Sequence, residues 1–138
     1  MTLPVVNNLA VLVSGVVIFM IGGLWYSPVL FAKRWVALVG KTEEELKASA
    51  GSMPVSYLIV FLCGLVTAWV MALVVGNFAP SSALDGALIG ALCWVGFAGA
   101  TSYATVLFAG KPKTLWFIDS GFNLVSFMVA GTILAVWR

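Results

Sequence analysis

Four long runs of apolar residues decide what this chain can become. They extend from about Pro4 to Ser27, Val55 to Val75, Ala83 to Phe108 and Thr114 to Trp137. A helix needs roughly 20 apolar residues to cross about 30 Å of hydrocarbon, and each run reaches that length. Lipid offers no partner to an open backbone N–H or C=O, so the runs are expected as helices. Of the 138 residues, 62% are hydrophobic and 9% are charged, against about 25% charged in a soluble domain. Neither a soluble globular protein nor a disordered one fits. The expected fold is all-α, an integral membrane four-helix bundle forming one domain over residues 1–138. The first run lacks a basic leader and ends on Trp25-Tyr26, so it is expected as a retained span and not a cleaved signal.

The placement of charge predicts an orientation. Lys33, Arg34, Lys41 and Lys47 follow the first span, and Lys111 and Lys113 lie between the third and fourth. Both connections fall on one side of a four-span chain. The other side holds only Arg138 and the amino terminus. The positive-inside rule puts the basic loops in the cytoplasm and both termini outside it. Trp25, Tyr26, Trp35, Tyr57, Trp116 and Trp137 fall near the expected interfaces, where an aromatic belt belongs. In the first loop, Thr42 and Glu45 have capping-box spacing, which predicts a short helix from Glu43 to about Ala50, ended by Gly51 and Pro54. Upstream, Phe31, Trp35, Val36 and Val39 alternate with Lys33 and Arg34. That pattern fits a segment lying in the interface, or a plain solvated turn.

The chain also resembles itself. The heptapeptides Tyr26–Ala32 and Tyr103–Ala109 match at five of seven positions, 77 residues apart. At the same offset Gly22 falls on Gly99, Phe19 on Gly96 and Ala10 on Ala87. With a shorter connection, Ile59, Leu65, Val66, Thr67 and Val70 fall on Ile118, Leu124, Val125, Ser126 and Val129. This pattern predicts two helical hairpins in parallel internal repeat, an arrangement found in transporters.

Small residues mark where membrane helices approach closely. Gly86, Gly90, Gly96 and Gly99 make the third span the expected centre of the bundle or the face of a homo-oligomer. Ionisable groups inside a membrane are costly and are candidates for function. Asp119 is the clear case, with Asn123 and Ser126 on the same helical stripe. Ser102 and Tyr103 in the third span, and Trp25 and Tyr26 in the first, reach a similar depth. Together these seven residues form the candidate polar site. Asp85 is expected to cap the third span at its outer end.

Several chemistries have no support. The chain has no histidine, which removes the commonest metal ligand and general base. Cys63 and Cys93 lie in apolar runs and read as buried, inert thiols. No carboxylate pair shares a site, so no enzyme, metal site or cofactor is expected. No basic stripe with interleaved aromatics points to nucleic acid. Membrane lipid is the expected partner.

Gly23-Leu24-Trp25-Tyr26-Ser27-Pro28 with Leu30-Phe31 and Lys33, the loop Thr42–Lys47, Trp94-Val95-Gly96-Phe97 and Phe108–Pro112 carry a resemblance to a known family. So do Ile118, Gly121, Leu124–Ser126, Gly131 and Trp137 of the fourth span. The chain resembles the small bacterial membrane family called domain of unknown function seventeen-sixty-one, over nearly its whole length. The resemblance implies a fold and a bacterial cytoplasmic (inner) membrane location, and no established activity, substrate or catalytic residue. It also implies departures: an acidic residue, an Asn and a His often stand where this chain has Ala109, Asp119 and Asn123.

The functional expectation is a small polytopic membrane protein, an oligomeric transport or permeation module for a small solute or ion. The alternative is a module that binds lipid, a small apolar ligand or a partner protein without transporting it.

Overall fold

The computed structural model describes all 138 residues, and every regular element is helical. Four helices are long and apolar enough to cross a membrane: Asn8–Trp25, Met53–Phe78, Ala83–Ala109 and Lys113–Val136. The first is α1. It starts later than the apolar run because the Asn7 side chain accepts the N–H groups of Leu9 and Ala10 and so caps it. The residues before the cap are not helical. Pro4 there lies against Gly76 of the second span.

Between the first two spans the chain forms two short helices, α2 (Ala32–Val39) and α3 (Glu43–Ala50). The α2 helix ends at Gly40, whose φ of 74° is the left-handed conformation that only glycine adopts freely. The α3 helix has the expected bounds, and the Thr42 hydroxyl accepts the Glu45 N–H as its cap. The second span, α4 (Met53–Phe78), carries Pro54 in its first turn, where no backbone N–H is lost from the ladder.

The third span is not one uniform helix. It consists of α5 (Ala83–Cys93), a π segment (Trp94–Gly99) and α6 (Ala100–Ala109). Its N-cap is Ser82, not Asp85: the Ser82 hydroxyl accepts the Asp85 N–H, and Ser81 donates to the Asp85 carboxylate. The fourth span is α7 (Lys113–Val136).

Helices pair as α1 with α4 and α5 with α7, and α7 also packs along α1 and α4. The second and third spans barely meet. The closest approach is between the third and fourth spans. A Cβ on Gly86 would strike the Gly131 carbonyl, and one on Gly90 would strike the Phe127 carbonyl. Those glycines therefore let two backbones touch within one chain. A Cβ on Gly99 would crowd the Trp94 ring at 3.1 Å, while Gly96 has nothing against it. Of the four glycines expected to face a second copy, only Gly96 is open. On the other side, Gly15 receives Leu65, and Gly64 sits 3.5 Å from the Gly15 carbonyl by the same measure.

The core between the helices is small and apolar, from Ala10, Ala68 and Val75 to Ala130 and Leu134. Most large side chains point outward, as lipid-facing helices allow. At the end of the bundle away from the basic loops, the Arg138 guanidinium donates to the Pro80 carbonyl at 2.7 Å and ties the last helix to the connection between α4 and α5.

The π segment also shifts the register of the third span. A π turn holds one residue more than an α turn. At the end of the bundle away from the basic loops, the first span buries Ala10 and Ser14 and the third buries Gly86 and Gly90, at the same spacing of four. The two pairs lie 76 residues apart, against 77 on the loop side.

Candidate functional site

Tryptophan rings, not the polar stripe alone, organise the loop end of the bundle. An indole N–H buried away from water needs an acceptor, and three of them find one on α7. Trp25 donates to the Ile118 carbonyl at 2.9 Å, Trp94 to the Ser120 carbonyl at 2.9 Å, and Trp35 to Asp119 Oδ1 at 3.0 Å. The fit is steric as well. Trp25 occupies the space left by Gly121, and Phe122 the space left by Gly22. These rings pin α7 to its neighbours, Trp25 and Trp35 from the first span and α2.

Asp119 stands at the centre of this arrangement. Its Oδ1 also accepts the Tyr26 hydroxyl at 2.6 Å, a length typical of a strong bond from O–H to a carboxylate. Tyr26 is held edge-on by Trp35 and Phe122, with centroids 6.0 and 5.7 Å away. Its position follows from the end of α1: Tyr26 is the C-cap residue, and the Ser27-Pro28 turn sends the chain into α2. The α2 helix then returns Trp35 to the same carboxylate.

The candidate residues divide into two groups. Asp119 meets Tyr26 and Trp35, while Asn123 and Ser126 continue along α7 into a hollow that Tyr26 also lines. Trp25 contributes its bond to the Ile118 carbonyl. Ser102 and Tyr103 are elsewhere. Ser102 accepts the Trp116 indole N–H at 2.9 Å, and Tyr103 stacks edge-on against Trp116 with centroids 5.1 Å apart. The reason is that α7 has the first span on one flank and the third on the other. Trp116 reaches the third span, and Asp119 the first. Matching depth along the membrane did not bring them together.

Two hollows meet at Tyr26. One, of about 460 Å³, lies between the first, second and fourth spans. Its walls are mostly apolar and aromatic, with Asn123, Ser126 and Thr67 as polar points. The Ser126 hydroxyl is buried and has no hydrogen-bond partner in the chain, which is unusual for a buried polar group. Part of the rim is the exposed flank of α4, at Tyr57 and Val60. The other hollow, of about 510 Å³, opens at the loop side between α2, α3 and the start of α4. Asp119, Trp35, Leu46, Lys47 and Glu43 line it. Tyr26 is the one residue common to both walls.

The main residue that sequence reasoning missed is Trp35, the second donor to Asp119, which lies 84 residues away in the chain. Its only signal was a tryptophan placed between two basic residues and an apolar pair. No group of three Cys, Asp or Glu side chains converges in a way that suits a metal ion.

Neither the curated proteins nor the solved structures contain a match to this chain. A family model described as "Protein of unknown function (DUF1761)" matches residues 9–135. With residues 9–135 within that match, the chain belongs to this family of unknown function, and its own four apolar helices are long enough to cross a membrane.

Proposed function

We propose that this protein is a transport or permeation module, and not an enzyme, in which Tyr26 separates two hollows on one path. The observation that carries this reading is the position of Tyr26. It lines both the intramembrane hollow and the loop-side hollow, and its hydroxyl is bonded to Asp119. A small molecule held against Asn123 and Ser126 has one ring between it and the loop-side interface. Rotation of that ring about its own side-chain bonds joins the two spaces without moving a helix.

The second reading is binding without passage. The largely apolar lining and the exposed α4 flank of the intramembrane hollow favour it, since a lipid-dissolved molecule could enter there and stay. Flux separates the two. Proteoliposomes would be loaded with labelled impermeant solutes: a quaternary aromatic amine, an aromatic sulfonate and a polyol. Passage predicts release of at least one above empty liposomes, and faster release from Tyr26→Phe, which lacks the bond to Asp119. Absence of release for all three overturns passage and leaves binding.

The same reading includes an inner-membrane location with both termini outside the cytoplasm. The support is six of the seven Lys and Arg residues on the loop side. It includes a duplicated hairpin as well, supported by the pairing of spans one with two and three with four, and by burial in register once the π segment is counted. A second copy would meet the chain on the open flank of the third span at Gly96, beside the exposed Val95 and Phe97.

A further inference from the structure

We infer that the loop-side hollow is a site for an organic cation with an apolar ring, and that Asp119 is its counter-ion. This deepens the passage reading, which concerns where the molecule goes. The binding step stands on the hollow itself.

The charge balance argues first. A carboxylate inside a membrane protein is costly unless it is paired. Both hydrogen bonds that Asp119 accepts come from uncharged donors, the Tyr26 hydroxyl and the Trp35 indole. Both fall on Oδ1, no donor of the chain bonds Oδ2, and Asp119 lines the hollow. A carboxylate oxygen accepts about two bonds, so the site has capacity for a charged donor from outside the chain. The walls argue second. The Trp35 and Tyr26 rings stand beside the carboxylate, and aromatic faces attract cations, more strongly where water is excluded. Leu46, Val36 and Met53 supply apolar surface for the rest of the molecule.

Two other charged groups face this hollow, Lys47 and Glu43. They lie one helical turn apart on the exposed α3, where opposite charges offset one another and solvent screens both. An anion would gain from Lys47 and meet Asp119 at the inner wall, so the hollow disfavours it. A neutral ring would leave the carboxylate unpaired. The space beyond Tyr26 is also consistent with a cation. It is lined by Phe19, Tyr57, Phe122 and Phe127, and by no basic side chain.

The test uses three molecules with one ring system and different charge: tryptamine, indole-3-ethanol and indole-3-acetate. Their binding to the full-length protein in nanodiscs would be measured by equilibrium dialysis, with empty nanodiscs subtracting partition into lipid. Tryptamine is expected to saturate at one molecule per chain, and the alcohol and the acid to show no saturable binding. Asp119→Asn should weaken tryptamine binding roughly ten- to hundredfold, the range of one lost hydrogen bond to a charged group. Asp119→Glu keeps the charge and should restore most of it, which distinguishes a lost counter-ion from a damaged fold. Equal binding of the alcohol and the amine, or an unchanged affinity in Asp119→Asn, overturns the proposal. Tryptamine binding without flux of any of the three solutes retains this site and overturns passage. Flux of the polyol or sulfonate with no amine binding does the reverse.

Discussion

At the scale of single residues, Asp119 and the tryptophans around it carry the local energetics. Tyr26 and Trp35 share one acceptor oxygen, so the two sides of each bond are not equivalent on deletion. Tyr26→Phe removes one donor and leaves Asp119 bonded to Trp35. It should cost about 1.5–3 kcal/mol, the net worth of one hydrogen bond to a charged group. Asp119→Ala removes both bonds and strands both donors in a partly buried setting, so it should cost more than Tyr26→Phe, by about 1–3 kcal/mol. Reversible unfolding in mixed detergent micelles measures both. Equal losses from the two variants would contradict the shared-acceptor geometry. Much of this was legible: Asp119 is the one carboxylate set well inside a span, and the stripe to Asn123 and Ser126 follows from helical spacing. What spacing could not show is which neighbour each polar group meets. Ser102 and Tyr103 lie at a suitable depth, yet they serve Trp116 on the opposite flank of α7.

At the scale of elements, the glycines have unequal roles. Gly90 lies against the Phe127 backbone, and Gly96 against nothing. Gly90→Val must push α5 off α7, and overpacking of this kind costs about 1–3 kcal/mol or prevents folding altogether. Gly96→Ala meets no neighbour and trades glycine's flexibility for a better helix former, so it should be neutral or stabilising by up to about 1 kcal/mol. The same unfolding measurement ranks them, and a reversed order would refute the packing. The short loop helix makes a separate prediction. Thr42→Ala removes the cap bond to the Glu45 N–H and should loosen α3 by about 1 kcal/mol, seen as faster hydrogen exchange at the Glu45 amide. The α3 boundaries were readable because a cap is local chemistry. The π segment was not: it is a backbone hydrogen-bond pattern over Trp94–Gly99, a stretch in which Trp94 lies against Gly99 and reaches the Ser120 carbonyl of α7.

At the scale of the whole molecule, the proposed orientation predicts which side chains a membrane-impermeant maleimide can reach. In a chain with Cys63 and Cys93 replaced, Ser81→Cys should label in intact cells. Ser49→Cys should label only after the membrane is opened. The opposite pattern would reverse the orientation. The number of long apolar helices, their approximate limits, the capped loop helix and the one carboxylate set inside such a helix were determined by sequence alone, because hydrophobic length, capping and charge are properties of consecutive residues. Tertiary structure decided the rest. It matched the third span to the fourth through Gly86, Gly90 and Gly131, sent Trp35 back to Asp119, and left a space on each side of Tyr26. In lipid, apolar surface favours no one helix pairing over another. The choice rests on steric fit and on where each buried donor finds its acceptor, and neither is visible until the helices are side by side.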